Sequence, residues 1–500
     1  MKRQTGVLIW WVICVTTIPS LAQSYSETAL LFSRTIPGGS ARILGMSGTQ
    51  ISLGGDYSSA QSNPAGLGMY NRSEFTITPG FTFDATNSNY LNNTSSSTSS
   101  NLSLPGISIV FNSLGKNSAK GFLSGSFALT YSRTNDFNSS IEYEGVNPDN
   151  SIIDYYLETA WGGSPSQFTS QGALFNTPTE LAYNTYLIGD STIIDPNANN
   201  TAYFTDVLGI PYQHETIETN GSQSQWNMSY GANIGDRIFF GFGLGIASVR
   251  YKGSKIYREE FQGEPLFNST LTETLEINGT GINGTFGLIG RPVNKVQIGL
   301  SVTTPISYNL SDTYEASMES QWDNFQYDLN TILNNEQSST NPLFADYKLK
   351  TPWKFSTGAS FFFNKNGFIS FDVENVNYGN TKYVDLDGAE NQNTQINELF
   401  KSVVNVRMGG EYRYNALRFR GGYSFLPDPY STEQNNTSRK IQSGSLGFGY
   451  RVKSYYVDFA IVHSWGSNSY RPYVVNSLTS PLMVYDRKTT SILFTVGFPF

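Results

Sequence analysis

Catalysis needs a nucleophile with a base beside it, and this 500-residue chain offers only His214 and His463 as histidine bases. His214 follows Pro211-Tyr212, with no Ser/Asp constellation around it. His463 shares strand parity with Val457, Phe459 and Ile461 and lies two residues from Trp465, which suits an aromatic belt at a membrane interface. No catalytic residue is assigned, and the chain is read as a non-enzyme. Cys14 is the only cysteine, and no Cys/His cluster has metal-ligand spacing. Gly54-Gly55-Asp56 lacks the Gly-Lys-Ser/Thr of a phosphate loop. Among many tyrosines none stands out as a haem ligand, so no metal and no cofactor is expected. One polar constellation is left: Asp372, Glu374, Arg407, Arg418 and Arg420, with Arg413 and Asp458 in the same parity. Such a band either braces a wall through paired charges or guides a ligand carboxylate, which arginine grips with two hydrogen bonds.

The elements that would position this band are strands. Alternation with period two predicts them at 73–84, 102–112, 121–133, 223–234, 237–250, 272–289, 294–309, 347–363, 367–378, 401–413, 416–426, 440–451, 454–465 and 488–500. Fourteen is even, as a single-chain bacterial barrel requires. Ile369, Phe371 and Val373 oppose Ser370, Asp372 and Glu374; Leu417 and Phe419 oppose Arg418 and Arg420. An arginine on the lipid face would cost roughly 2–4 kcal/mol at the midplane, so the charges must face the lumen. Connections alternate between short ones, such as Gly235-Asp236, Pro292-Val293, 364–366, Tyr414-Asn415 and Val452-Lys453, and long ones at 85–101, 134–222, 251–271, 310–346, 379–400, 427–439 and 466–487. Short turns on one side and long loops on the other are the pattern of an outer-membrane barrel. The apolar runs in 134–222 predict short helices over the outer mouth.

Composition agrees. Charged residues are 14% and aromatics 14%, whereas a soluble protein carries about 25% charged residues. The net charge of −8 argues against nucleic acid as a partner. Lys2 and Arg3, an apolar run from Val7 to Ile18 and Ala22 form a leader, so residues 1–22 are read as a signal peptide. Residues 23–72 are rich in glycine and small side chains and precede the strands. The expected fold is all-β: a transmembrane antiparallel barrel over 73–500, with segment 23–72 as an N-terminal hatch plugging its lumen.

The segments 41–48 (Ala-Arg-Ile-Leu-Gly-Met-Ser-Gly) and 56–67, with Asn63-Pro64-Ala65 inside it, together with Thr351-Pro352-Trp353, Leu417–Tyr423 and Gly447–Arg451, resemble the FadL/TodX family of outer-membrane transporters for hydrophobic compounds. The resemblance implies passive uptake of a lipophilic small molecule of the fatty-acid or aromatic-hydrocarbon type. Ligand would be captured at the outer loops, passed through a pocket beside the hatch and released sideways at a kink in the third strand. On this chain the gate maps to Asn63, Pro64 and Ala65. The kink maps to the region of Gly121 and Gly125, whose glycines could equally serve packing against the hatch. Expected partners are the lipophilic ligand, outer-membrane lipid and lipopolysaccharide, and the barrel-assembly machinery, which recognises an aromatic C-terminal strand; the expected state is a monomer. The alternative is a general diffusion porin or a surface-loop adhesin.

Overall fold

A computed structural model describes residues 24–114, 121–191 and 201–500. The expected leader at 1–22, with Cys14, lies outside them. The chain forms a closed antiparallel barrel of fourteen wall strands. They are β1 (Glu74–Tyr90), β2 (Asn93–Leu114), β3 (Phe122–Asp136, resuming at Ser139–Val146), β4 (Tyr212–Ile234), β5 (Ile238–Glu260), β6 (Leu266–Val293) and β7 (Val296–Thr303, resuming at Ser307–Gln326). The second half contains β8 (Leu343–Lys350, resuming at Lys354–Phe362), β9 (Gly367–Asn377), β10 (Ser402–Tyr414), β11 (Leu417–Leu426), β12 (Ile441–Arg451), β13 (Tyr456–Tyr470) and β14 (Met483–Pro499). Closure comes from β1 against β14, which pair from Glu74↔Pro499 to Tyr90↔Met483.

The alternation does what the sequence requires of it. Phe494 and Phe498 face outward while Thr495 is buried inside; Ile369 and Phe371 face outward while Asp372 is buried inside. Periplasmic turns are tight, and Asp236 and Asn415 take the positive φ that such turns need. The turn expected at Pro292-Val293 falls two residues later, because β6 runs through Val293.

Three expectations about the outer side are corrected. The segment 85–101 is a continuation of β1 and β2 that turns at Leu91-Asn92, and 251–271 and 310–346 are also mostly strand. Above the bilayer both faces of a strand are wet, so Ser, Thr and Asn occupy both and the apolar alternation vanishes. The strands expected as continuous at 294–309 and 347–363 are both interrupted, at Thr304-Pro305-Ile306 and Thr351-Pro352-Trp353, where proline has no N–H for the ladder. Within 134–222, β3 extends to Val146 and β4 starts at Tyr212, which leaves a shorter cap than expected.

That cap contains α4 (Ile152–Ala160), started by a capping box of Ser151 and Asp154, and α5 (Pro178–Asn184), capped by Thr177. Ile152, Ile153 and Tyr156 pack with Leu181, Ile188, Leu271, Met318 and Trp322 into one apolar core over the mouth.

Candidate functional site

Inside the barrel lie the short elements of the N-terminal segment: α1 (Tyr25–Ser33), α2 (Ala41–Leu44), α3 (Ser59–Ser62) and a tight 3-10 turn over Pro64–Met69. Helices of four residues have almost no stability of their own; the wall holds them. Ala41 donates its N–H to Thr495 Oγ1 at 2.8 Å, and Ser47 bonds Ser445 at 2.8 Å. Ser52 bonds Ser360 at 2.6 Å, and Ser229 and Ser301 donate to the carbonyls of Ala60 and Ser62. Contacts thus reach strands on every side of the lumen.

Asn63, Pro64 and Ala65 are tightly seated. Asn63 is fully buried; its amide donates to Ile51 O at 2.6 Å and Leu300 O at 3.3 Å, and its Oδ1 accepts from Ala65 N at 3.2 Å. The wall is thinned to admit this turn. Gly231 on β4, Gly241 on β5 and Gly287 on β6 face it, and a β-carbon on any of them would overlap Asn63, Pro64 or Ala65.

The charged band separates into two groups. Glu374 bonds Arg407 at 3.0 Å and Asn405 at 3.0 Å. Lower down, Arg420 bridges Glu411 and Asp458 at 2.7 Å each, Arg413 adds a second bond to Glu411, and Arg451 one to Asp458. Arg42 of the hatch reaches Glu411 at 3.6 Å and Asp56 at 3.9 Å. Asp372 pairs with no arginine among the described residues; its Oδ2 accepts the backbone N–H groups of Gln50 and Ile51 at 2.6 and 2.9 Å. Arg418 stands apart at a turn, donating to the carbonyls of Asn415 and Leu417. The sequence reading passed over Arg42 and Glu411. Glu411 shares parity with Arg407 and Arg413 and was legible on that ground; Arg42 carried no comparable signal.

A cavity of about 90 Å³ runs beside the hatch. Ile36, Gln50, Ile51 and Ser62 line its hatch side, and Thr134, Thr304 and Pro352 its wall side. Above it, Ala29 and Phe32 of α1 sit in an aromatic chamber with Phe137, Tyr251, Tyr308 and Tyr383. Still higher, Tyr143 and Tyr470 donate to the buried Glu215, whose pKa burial raises to about 7.

The wall around this cavity is incomplete in two places. β2 and β3 pair only from Gly106↔Ser132 to Leu114↔Ser124; among the described residues no ladder joins them above that point. The edges are linked there by Asn101 to Asp136 at 2.8 Å, Ser97 to Ser140 O at 2.6 Å and Asn93 to Glu144 O at 3.1 Å. The hatch lies against the crotch of this fork, with Ile36 N–H donating to Thr134 O at 3.0 Å. The second interruption is the Thr-Pro pair in β7 and β8. Gly121 has φ +81° at the lower end of β3, a bulge follows at Phe122–Ser124, and Gly125 lies in an unbroken ladder under the Tyr230 ring. A further register shift in β3 falls between Arg133 and Asn135, at the crotch.

Neither histidine sits in a catalytic constellation among the described residues. His214 pairs with Glu142 at 3.2 Å and the exposed His463 bonds Thr490 at 2.9 Å and stacks on Trp465.

A family model described as outer membrane protein transport protein (OMPP1/FadL/TodX) matches residues 216–493. The chain belongs to the FadL/TodX family. It is therefore an outer-membrane barrel of a family of non-enzymatic channels for hydrophobic compounds. The fold is similar to the crystal structure of a Pseudomonas aeruginosa FadL homologue, with TM-score 0.57 at 12% identity over 93% of this chain and 99% of that one. It is also similar to the P. putida toluene transporter TodX, with TM-score 0.51 at 11% identity over 93% and 99% of the two chains. A search of curated proteins by sequence returns no match.

Proposed function

We propose that this FadL/TodX barrel carries lipophilic small molecules, of the fatty-acid or aromatic-hydrocarbon type, passively past its hatch and releases them sideways through the β2–β3 fork. The observation that carries the reading is the cavity between the hatch and Thr134, a residue two positions beyond the last β2–β3 pair, Gly106↔Ser132. At about 90 Å³ it is smaller than the cavity of about 150 Å³ that takes up benzene in an engineered protein. Passage thus requires the hatch segments 35–37 and 48–51 to shift. Asn63-Pro64-Ala65, locked into three wall glycines, serves as the pivot of that gate. The kink expected near Gly121 and Gly125 is replaced in this proposal by the bend of β3 at Arg133–Asn138, nearer the cavity. The charged groups brace the hatch, since Arg42 of the hatch reaches Glu411, which pairs with Arg420 and through it with Asp458 in the buried wall.

The test pairs two measurements on the intact chain in liposomes and planar bilayers. Uptake of a radiolabelled long-chain fatty acid or of toluene, with little steady ion conductance, is the expected result. Large steady conductance without lipophile uptake identifies a diffusion porin and overturns the proposal.

A further inference from the structure

The outer wall of β5–β8 changes character along one row. Ile246, Ile282 and Phe355 are exposed and apolar at or below it, and so are Phe286 and Trp353. Immediately above it the outward residues are Ser248 and Arg250 on β5, Thr280 and Asn278 on β6, and Lys348 and Asp346 on β8. The row runs around the wall through Ile282↔Ser307 and Ser307↔Lys350, so Lys350 stands at the upper edge of the lipid-facing belt. Trp353, stacked on Phe355 at 6.3 Å, marks that edge in the way interfacial tryptophans do.

Here the chain places like charges face to face. Lys350 pairs in register with Lys382 of the short strand Lys382–Val384, and both side chains are exposed. Directly opposed like charges on one sheet face are unfavourable, and neither lysine makes an ion pair among the described residues. The next residue up the same face, Lys348, is held by Asp385 at 2.6 Å. Beside them a recess of about 800 Å³ opens on the outer wall, with Arg250, Lys348, Asn278, Asn309, Asp346 and Asp385 on its rim. In a chain of net charge −8, an unneutralised lysine pair over an apolar strip calls for an anion that is also a lipid.

We propose that Lys350, Lys382 and Arg250 bind the phosphates of lipopolysaccharide, with its disaccharide in the recess and its acyl chains along Trp353, Phe355 and Phe286. Two lysines about 5 Å apart across a strand pair match a phosphomonoester, which takes charge-assisted hydrogen bonds from both. Asp346 and Asp385 face the sugar hydroxyls as acceptors. This site is on the outside of the wall and is independent of the transport route.

Native mass spectrometry of the full chain, extracted in mild detergent from lipopolysaccharide-containing outer membranes, tests it. The wild type retains one lipopolysaccharide. Lys350→Glu with Lys382→Glu lowers the retained fraction about tenfold, the loss of roughly one charge-assisted contact. Lys350→Arg with Lys382→Arg keeps it. Lipid A stripped of its phosphates, offered to the unmodified protein, binds as weakly as intact lipid A binds the double Glu variant; this arm decides the matter even if that variant fails to fold. Undiminished retention by a folded double Glu variant, or equal binding of the dephosphorylated lipid, overturns the proposal. So does displacement by inorganic phosphate at the lipid's own concentration, which would make the site one for the free anion.

Discussion

Two places in the wall lack ordinary strand pairing, and they are built in opposite ways. At the β2–β3 fork the backbone edges separate above Gly106↔Ser132 and are spanned by single hydrogen bonds from Asn93, Ser97 and Asn101. Pro105 contributes no N–H there, and β3 bends away at Phe137-Asn138 before resuming at Ser139. At the Thr-Pro pair the edges stay together. Gly284 N–H donates to Thr304 Oγ1 at 2.9 Å and Ile306 N–H to Thr351 Oγ1 at 2.8 Å, while Thr304 N–H and Thr351 N–H donate back to Gly284 O and Ile306 O. Each threonine hydroxyl stands in for a ladder carbonyl. Proline by itself therefore does not make an opening; what matters is whether a neighbouring side chain takes over the orphaned backbone groups. The fork leaves its edges to side-chain bridges and to the hatch, whereas at the Thr-Pro pair the two threonines tie β6 to β7 and β7 to β8.

The largest effect is expected from fastening the fork. Asn101→Cys with Asp136→Cys joins two side chains that already touch at 2.8 Å. The oxidised protein loses about tenfold of its lipophile uptake, provided the bridge forms at a Cβ separation of about 3.5–4.5 Å, and reductant restores it. Equal uptake by oxidised and reduced protein removes the fork from the route. The reduced form also controls for the loss of Asp136's bond to Arg133.

A second test acts on the gate's pivot and leaves both interruptions intact. Gly287→Ala sets a methyl against the Asn63 side chain. Such overpacking costs about 1–3 kcal/mol, and here it falls on the seating of the hatch. The expected outcome is faster proteolysis of the hatch and a flickering ion conductance, with β1–β14 closure retained as heat-modifiable migration on a gel. A quiet, protease-resistant Gly287→Ala protein would show that the turn is not the pivot.

How much of this was legible depends on where water lies. Within the bilayer one face of every strand meets lipid, so Ile369, Phe371, Phe494 and Phe498 announced their strands and the fourteen-strand wall followed. Outside it, Asn87–Asn101 has polar residues on both faces, and strands looked like loop. The hatch was legible as a compact small-residue segment; Asn63-Pro64-Ala65 entered only as the gate that the family resemblance maps there. The three glycines that receive that turn, at 231, 241 and 287, lie on separate strands and become one feature only when the barrel closes. The same is true of Arg42 with Glu411. The breaks in β7 and β8 were written in plain sight as Thr-Pro at 304–305 and 351–352. Each was read as the interior of a strand, because apolar alternation on either side outweighed the proline.

The smallest effect is expected at that Thr-Pro pair, and it sharpens the comparison most directly. Thr351→Val keeps the branched shape but leaves the N–H of the buried Ile306 without its acceptor. An unsatisfied buried donor costs about 1–3 kcal/mol, which should appear as a lower urea midpoint for the loss of heat-modifiable migration. Uptake should stay within about twofold of the wild type, because β7 and β8 remain paired through Ser307↔Lys350 above the break and Thr303↔Lys354 below it, and one lost bond of this size does not part them. If uptake instead rises severalfold while the fork cross-link no longer blocks it, the hydroxyl is a latch and not a stitch. The wall would then have two exits, and the route through the cavity would turn from Thr134 towards Thr304 and Pro352 on its far side.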